Sequence, residues 1–123
     1  MHYRILIVDD NEMMREFLTS YLSSKYHVNA VNGGSQAISY LQSGTIPDLI
    51  IADLNMPEMD GSTLIEKIRS NSLFCHIPVI ILSGSKKSES RIKCLEIGAK
   101  DFIIKPFNPR ELELRISHVL KVA

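Results

Sequence analysis

Five short apolar stretches, spaced roughly 20 to 30 residues apart, limit what this chain can fold into. They are Tyr3 to Val8, His27 to Val31, Asp48 to Ala52, Pro78 to Leu82 and Phe102 to Ile104. Four are rich in Ile, Val and Leu without polar alternation, which is how strands covered on both faces read. The second alternates, with Tyr26, Val28 and Ala30 set against His27 and Asn29. It is therefore expected at an edge, with one face wet.

Helical patterns fill the gaps. Met14, Phe17, Leu18, Tyr21 and Leu22 recur at the spacing of one helix face. Shorter stripes are Ala37, Ile38 and Leu41; Leu64, Ile65 and Ile68; and Ile92, Cys94 and Leu95, the last closed by Gly98. A final stripe of Leu112, Ile116, Val119 and Leu120 follows Asn108, Pro109 and Glu111, the signature of an N-cap, a first-turn proline and a capping box. Strands alternating with helices make an α/β protein, a (βα)₅ doubly wound parallel sheet with right-handed crossovers. Covering both faces requires the halves to wind in opposite directions. The natural strand order is 2-1-3-4-5, the arrangement of flavodoxin-like sheets. No spacer or shift in composition divides residues 1–123, so one domain is expected.

Composition narrows the functional classes. Fourteen Lys and Arg balance fourteen Asp and Glu, without the basic excess of a bulk nucleic-acid binder. The longest apolar runs have four residues, far short of the about 20 a membrane-spanning helix needs. Cys75 and Cys94 lack C-x-x-C spacing and read as free thiols of a reducing, cytoplasmic setting. Four scattered histidines give no i, i+4 pair for a His-based metal site.

The chemistry lies at the strand ends. Asp9 and Asp10 follow the first strand, Asp53 the third, Ser83 the fourth and Lys105 the fifth. In an open α/β sheet, sites form outside the carboxyl ends of strands where the order reverses, here between the first and third. Taken alone, each Asp or Ser is a turn or cap residue and the Lys a solvated charge. Together they place three carboxylates, a hydroxyl and an ammonium at one spot. Clustered carboxylates repel unless a cation is present, and oxygen-only ligands suit a hard ion such as Mg²⁺. The added Lys and hydroxyl suit an anion with several oxygens, such as a phosphoryl group. Neither G-x-x-x-x-G-K-[ST] nor G-x-G-x-x-G occurs, so the phosphoryl group comes from elsewhere. The simplest acceptor is a carboxylate, giving an acyl phosphate.

Six segments carry a resemblance. Val8 to Asn11, Pro47 to Asp53, Met56 to Gly61, Pro78 to Gly84, Gly98 to Phe102 and Lys105 to Phe107 stand in order along the whole chain. Together they resemble the receiver domain of two-component response regulators. The resemblance implies that Asp53 is the phosphoacceptor, charged by a histidine kinase or histidine phosphotransfer protein. It implies that Asp10, Asp53 and the Asn55 backbone carbonyl hold Mg²⁺, with Asp9 acting through a metal-bound water. Lys105 and Ser83 would bind phosphoryl oxygens. Phe102 would be the aromatic switch, turning inward as Ser83 moves. The Lys105-Pro106 bond would be cis. The implied output is a changed surface around helix 4, strand 5 and helix 5, read by a downstream protein target or an output domain. The implied state is a monomer or a phosphorylation-dependent dimer. No output domain is expected within these residues, and neither nucleic acid nor membrane is an expected direct partner.

Departures from the family pattern are few: Gln36 stands where Glu is usual, and Gly84 where Ala is commoner. The neutral charge hides an asymmetry. Residues 1–61 carry three Lys or Arg against eight acids, and residues 86–115 carry eight against five. That reads either as solvated surface or as a basic output face for an acidic partner. Met13 and Met14 open the first helix beside Asp10, one expected in the core and the other in an apolar patch for a partner's helix bundle. Two alternatives come from other classes. An Asp-nucleophile phosphohydrolase would place D-x-D after the first strand, unlike Asp9-Asp10-Asn11. A phosphate-independent pseudo-receiver would lack some site residue, and none is missing. The chain is not expected to be an enzyme beyond catalysing its own phosphotransfer and slow dephosphorylation.

Overall fold

The computed structural model describes residues 2–121; residues 1, 122 and 123 of the expected domain lie outside the described residues. Strands β1 (Arg4–Val8), β2 (His27–Val31), β3 (Leu49–Asp53), β4 (Val79–Ser83) and β5 (Asp101–Ile104) alternate with helices α1 (Glu12–Leu22), α2 (Gly34–Gln42), α3 (Gly61–Arg69), α4 (Ser88–Glu96) and α5 (Pro109–Leu120). All strand pairs are parallel, and the order is β2-β1-β3-β4-β5. The expected flavodoxin-like sheet is the one observed.

The unbroken apolar strands make sense once their two faces are separated. Side chains alternate across a strand, so Leu6, Val8, Ile50, Ala52, Val79 and Ile81 enter one core with Leu41, Leu64, Ile65 and Ile68 from α2 and α3. Their neighbours Ile5, Ile7, Leu49, Ile51, Ile80 and Leu82 enter a second core with Leu18, Leu22, Leu112 and Ile116 from α1 and α5. Because both faces are dry, no sheet position in β1, β3 or β4 between the strand ends tolerates a polar residue. Polar chemistry is thereby confined to the rim.

β2 does stand at the sheet edge, as its alternation indicates, with Tyr26 buried, Val28 half-buried and Ala30 exposed. Ala30 lines an open cavity of about 500 Å³ between β2 and α1, with Glu12, Arg15, Glu16, Thr19 and Ser20. Local expectations fail where a pattern was asked to do more than it could. On α4 only Cys94 is buried, while Ile92 and Leu95 are about half exposed. At about 100° per residue, Ile92 and Leu95 sit about 200° and 100° from Cys94 and cannot share its inward face. Phe17 and Tyr21 of α1 likewise lie outside, their rings stacked 5.9 Å apart. At α5 the capping box does not form. The Asn108 side chain accepts from the amide of Arg110, and Glu111 instead faces Arg115 one turn later at 3.5 Å. Gly98 does close α4, at a φ of 114° that favours glycine.

Candidate functional site

Strand register brings the acids together. Val8 pairs with Ala52, so Asp9, just past β1, lies beside Asp53, the last residue of β3. Asp9 and Asp53 are buried, with 1% and 7% of their surface exposed, while Asp10 is open to solvent. Oxygens of Asp9, Asp10 and Asp53 lie within 4.8 Å of one another. Lys105, just past β5, is carried to them by the hydrogen bond its backbone amide donates to the Ser83 carbonyl at 2.7 Å. Its ammonium donates to Asp53 Oδ1 at 2.9 Å and stands 3.5 Å from Asp9 Oδ2. The Lys105-Pro106 peptide is cis.

The charge balance is uneven. Burial pushes the Asp53 carboxyl above the usual range; Lys105 opposes this, and the charges of Asp9 and Asp10 reinforce it. Asp9 Oδ1 accepts from the Asn11 amide at 2.9 Å, but the buried Oδ2 has no hydrogen bond. A buried carboxylate oxygen with no hydrogen bond and only the 3.5 Å ion pair to Lys105 is under-satisfied, and three carboxylates outnumber the one ammonium. The donor set is entirely hard oxygen. These residues fit a divalent cation such as Mg²⁺.

The other expected residues are placed as follows. Ser83 is fully buried at the end of β4, its hydroxyl accepting from the Ser85 amide at 3.0 Å. Ser85 continues the chain of contacts: its own hydroxyl accepts from the Lys87 amide at 3.3 Å and meets the Ser90 hydroxyl at 3.4 Å. The first turn of α4, whose N-cap Lys87 gives no side-chain bond, is thus linked to Ser83 through one residue. Asn55 is exposed and lines a 200 Å³ hollow with Asp60, Ser62, Ser90, Lys93 and Cys94. Phe102 is already inside, 8% exposed and packed in the core of the α2–α3 face, where it pairs with Ile81. In this conformation Phe102 is already largely covered.

Of the two methionines, Met14 packs against the α1–α5 core and Met13 is 79% exposed. Cys75 and Cys94 are free, one exposed and one buried.

Three supporting residues escaped the sequence reading. Gly61 opens α3 so close to β3 that a Cβ would meet the Asp53 carbonyl oxygen at 2.7 Å. Asp60 caps α3 through Thr63 and Ser62; burial pushes its carboxyl up, but these hydrogen bonds outweigh that and hold it below the usual range. Arg15 of α1 donates to the Asp9 backbone carbonyl at 2.8 Å. Asp60 and Gly61 carried a sequence signal, both as part of the Met56 to Gly61 segment; Arg15 carried none.

Comparison with known proteins agrees with this architecture. The response regulator receiver domain family matches residues 5–117. The chain belongs to that family, the phosphorelay switches of two-component signalling. It is 40% identical over 119 residues to the sensor histidine kinase TmoS of Ectopseudomonas mendocina, covering 97% of this chain and 12% of that protein. It is 38% identical over 118 residues to the two-component response regulator ORR5 of Oryza sativa subsp. japonica, covering 95% of this chain and 88% of that protein. The histidine kinases among these relatives are far longer, the chain spanning 7% to 12% of them. A putative response regulator from Chloroflexus aurantiacus superposes with a TM-score of 0.91 at 31% identity, covering 98% of this chain and 99% of that one. The chemotaxis response regulator CheY4 of Vibrio cholerae superposes at 0.89 and 28% identity, covering 97% and 99%. Among the described residues no helix is long and apolar enough to cross a membrane.

Proposed function

We propose that this receiver domain takes a phosphoryl group from a histidine kinase or histidine phosphotransfer protein onto Asp53. The observation that carries this reading is the meeting of three carboxylates within 4.8 Å, with Lys105 hydrogen-bonded to Asp53. An Asp53 carboxylate oxygen attacks phosphorus as the P–N bond to the donor imidazole breaks. The imidazole leaves with the bonding pair and takes a proton. Lys105 follows the charge from the carboxylate to the phosphoryl oxygens. Asp9, Asp10, Asp53 and the Asn55 carbonyl would hold Mg²⁺, which supplies charge neutralisation for the incoming phosphoryl oxygens. Met13 lies one turn above Phe17 and two above Tyr21 on the open side of α1, which supports docking of the donor's apolar helix face beside Asp10.

The output step runs through Ser83. Phosphorylation replaces one negative charge by about two and adds strong acceptor oxygens. Ser83 shifting toward the phosphoryl group to donate to it would draw its oxygen from the Ser85 amide and loosen the link to α4. With Phe102 already largely covered, the α4 entry is the responsive element. The surface it reshapes carries Lys86, Lys87, Arg91 and Lys93, a match for an acidic downstream protein or linked output domain in the cytoplasm. The test is treatment with acetyl phosphate and Mg²⁺, read by intact mass. One hydroxylamine-labile phosphoryl group should appear, and Asp53→Asn should abolish it. Full labelling of Asp53→Asn sinks the assignment. A wild type that never labels leaves a phosphate-independent interaction module.

A further inference from the structure

Asp9 is held more firmly than a strand-end residue needs. Its amide donates to the Val31 carbonyl of β2 at 3.2 Å, and its Oδ1 accepts from the Asn11 amide at 2.9 Å. Its carbonyl, which leaves the sheet here, accepts from Arg15 Nη1 at 2.8 Å. That carbonyl belongs to the same rigid peptide plane as the amide and Cα of Asp10. A guanidinium fixing the plane therefore sets the bearing of both acids at once, and Asp9 Oδ2 is the oxygen without a hydrogen bond. The acid pair otherwise stands at the start of a loop, where peptide orientation is soft.

We infer that Arg15 is a positioning residue for the cation site, orienting Asp9 and Asp10 through their shared peptide. This rests on the Mg²⁺ reading given above. Arg15 exerts two effects of opposite sign on a cation. Its bond to the carbonyl orders the ligands and strengthens binding. Its positive charge beside the cluster weakens it. The two are separable by substitution. Arg15 also lines the open cavity between α1 and β2, so a shorter side chain there is met by water rather than by a void in the core.

The experiment is calorimetric titration of the whole chain with MgCl₂, for wild type, Arg15→Gln, Arg15→Met and Arg15→Lys. Melting in chelator is recorded for each. Removing the guanidinium should weaken Mg²⁺ binding by about three- to tenfold, the span of one hydrogen bond. Arg15→Lys, which keeps the charge and one reaching donor, should recover part of the loss. Affinity in Arg15→Gln and Arg15→Met equal to or tighter than wild type overturns the inference, the tighter result showing charge alone at work. A lower melting point with unchanged Mg²⁺ affinity assigns the bond to fold stability and overturns it as well. The Mg²⁺ reading fails separately, in wild type alone, if that chain takes up no cation.

Discussion

Replacing Asp10 by Asn should make the metal-free protein more stable and the metal-loaded one less so. Oxygens of Asp9, Asp10 and Asp53 lie within 4.8 Å of one another. At that separation each like-charge pair costs about 0.9 kcal/mol in water and about 3.5 at an effective dielectric of 20. Asp10 is exposed and Lys105 offsets part of the repulsion, so the lower figure is the better guide. Asp10→Asn should therefore gain about 1 kcal/mol in chelator, which for a domain of this size is about 3 to 5 °C in melting temperature. Saturating cation acts the other way. At a hundredfold over its dissociation constant Mg²⁺ should stabilise wild type by about 2.7 kcal/mol, and Asp10→Asn should lose most of that response. Thermal melts with and without Mg²⁺ at neutral pH decide it. The Asp53 carboxyl, raised on folding, adds a pH signature in chelator. The folded state binds its proton more tightly than the unfolded state, so this contribution is complete below the ordinary carboxylate range. It is lost as pH rises through the raised value. A lower melting point for Asp10→Asn in chelator, or an undiminished Mg²⁺ response, refutes the strained-cluster reasoning.

Ser83→Ala should still accept a phosphoryl group yet fail to transmit it. One hydrogen bond to the charged group is worth about 1.5 to 3 kcal/mol, against about 5.5 to invert a 1:99 equilibrium. Amide chemical shifts with beryllium fluoride should move at Ser85, Ser90 and along α4 in wild type and much less in Ser83→Ala; equal shifts in both exclude the relay. Glu113→Gln should cost about 1 kcal/mol near neutrality, the scale of a surface ion pair. Hydrogen bonds from Lys25 and Arg110, followed by Tyr21, hold the Glu113 carboxyl at about 2, so its contribution is present above about 4.5 and lost as pH falls toward about 2. Urea melts across that range should show the acid loss in wild type and a flatter curve in the variant; matching curves refute the clamp.

The sheet was legible because burial on both faces leaves an unmistakable mark, and the acids because strand ends concentrate chemistry. What was illegible has physical causes. A stripe such as Ile92, Cys94 and Leu95 states that a helix forms, but with residues in three directions it does not state which one faces inward. Glu111 had two partners within reach, the Asn108 amide and the Arg115 guanidinium, and only the fold decides between them. Arg15 binds a backbone carbonyl six residues back, a contact that needs no particular partner side chain and so leaves no pattern. Tyr21 and Glu113 are 92 residues apart and meet only because α1 and α5 share a face of the sheet.

The buried polar side chains support the proposed phosphoryl switch. Among the described residues they are Asp9, Asp53, Ser62 and Ser83, and three of these stand at the carboxyl ends of β1, β3 and β4. Three carboxylates against Lys105 leave the cluster two charges negative, which one divalent cation neutralises. The proposed phosphorylation of Asp53 would then add about one further negative charge. Among the described residues Lys105 is the ammonium paired with these acids; Arg15 is engaged at the Asp9 backbone carbonyl, and Arg91 and Lys93 of α4 are exposed. A neutral donor would help meet the excess, and Ser83 is the buried hydroxyl at the rim. Its present bond from the Ser85 amide uses it as an acceptor, and an anion requires it as a donor. One hydroxyl can fill both roles at once, so the proposed switch requires the Ser83 side chain to shift toward Asp53, which would draw its oxygen from the Ser85 amide and change the loop leading into α4.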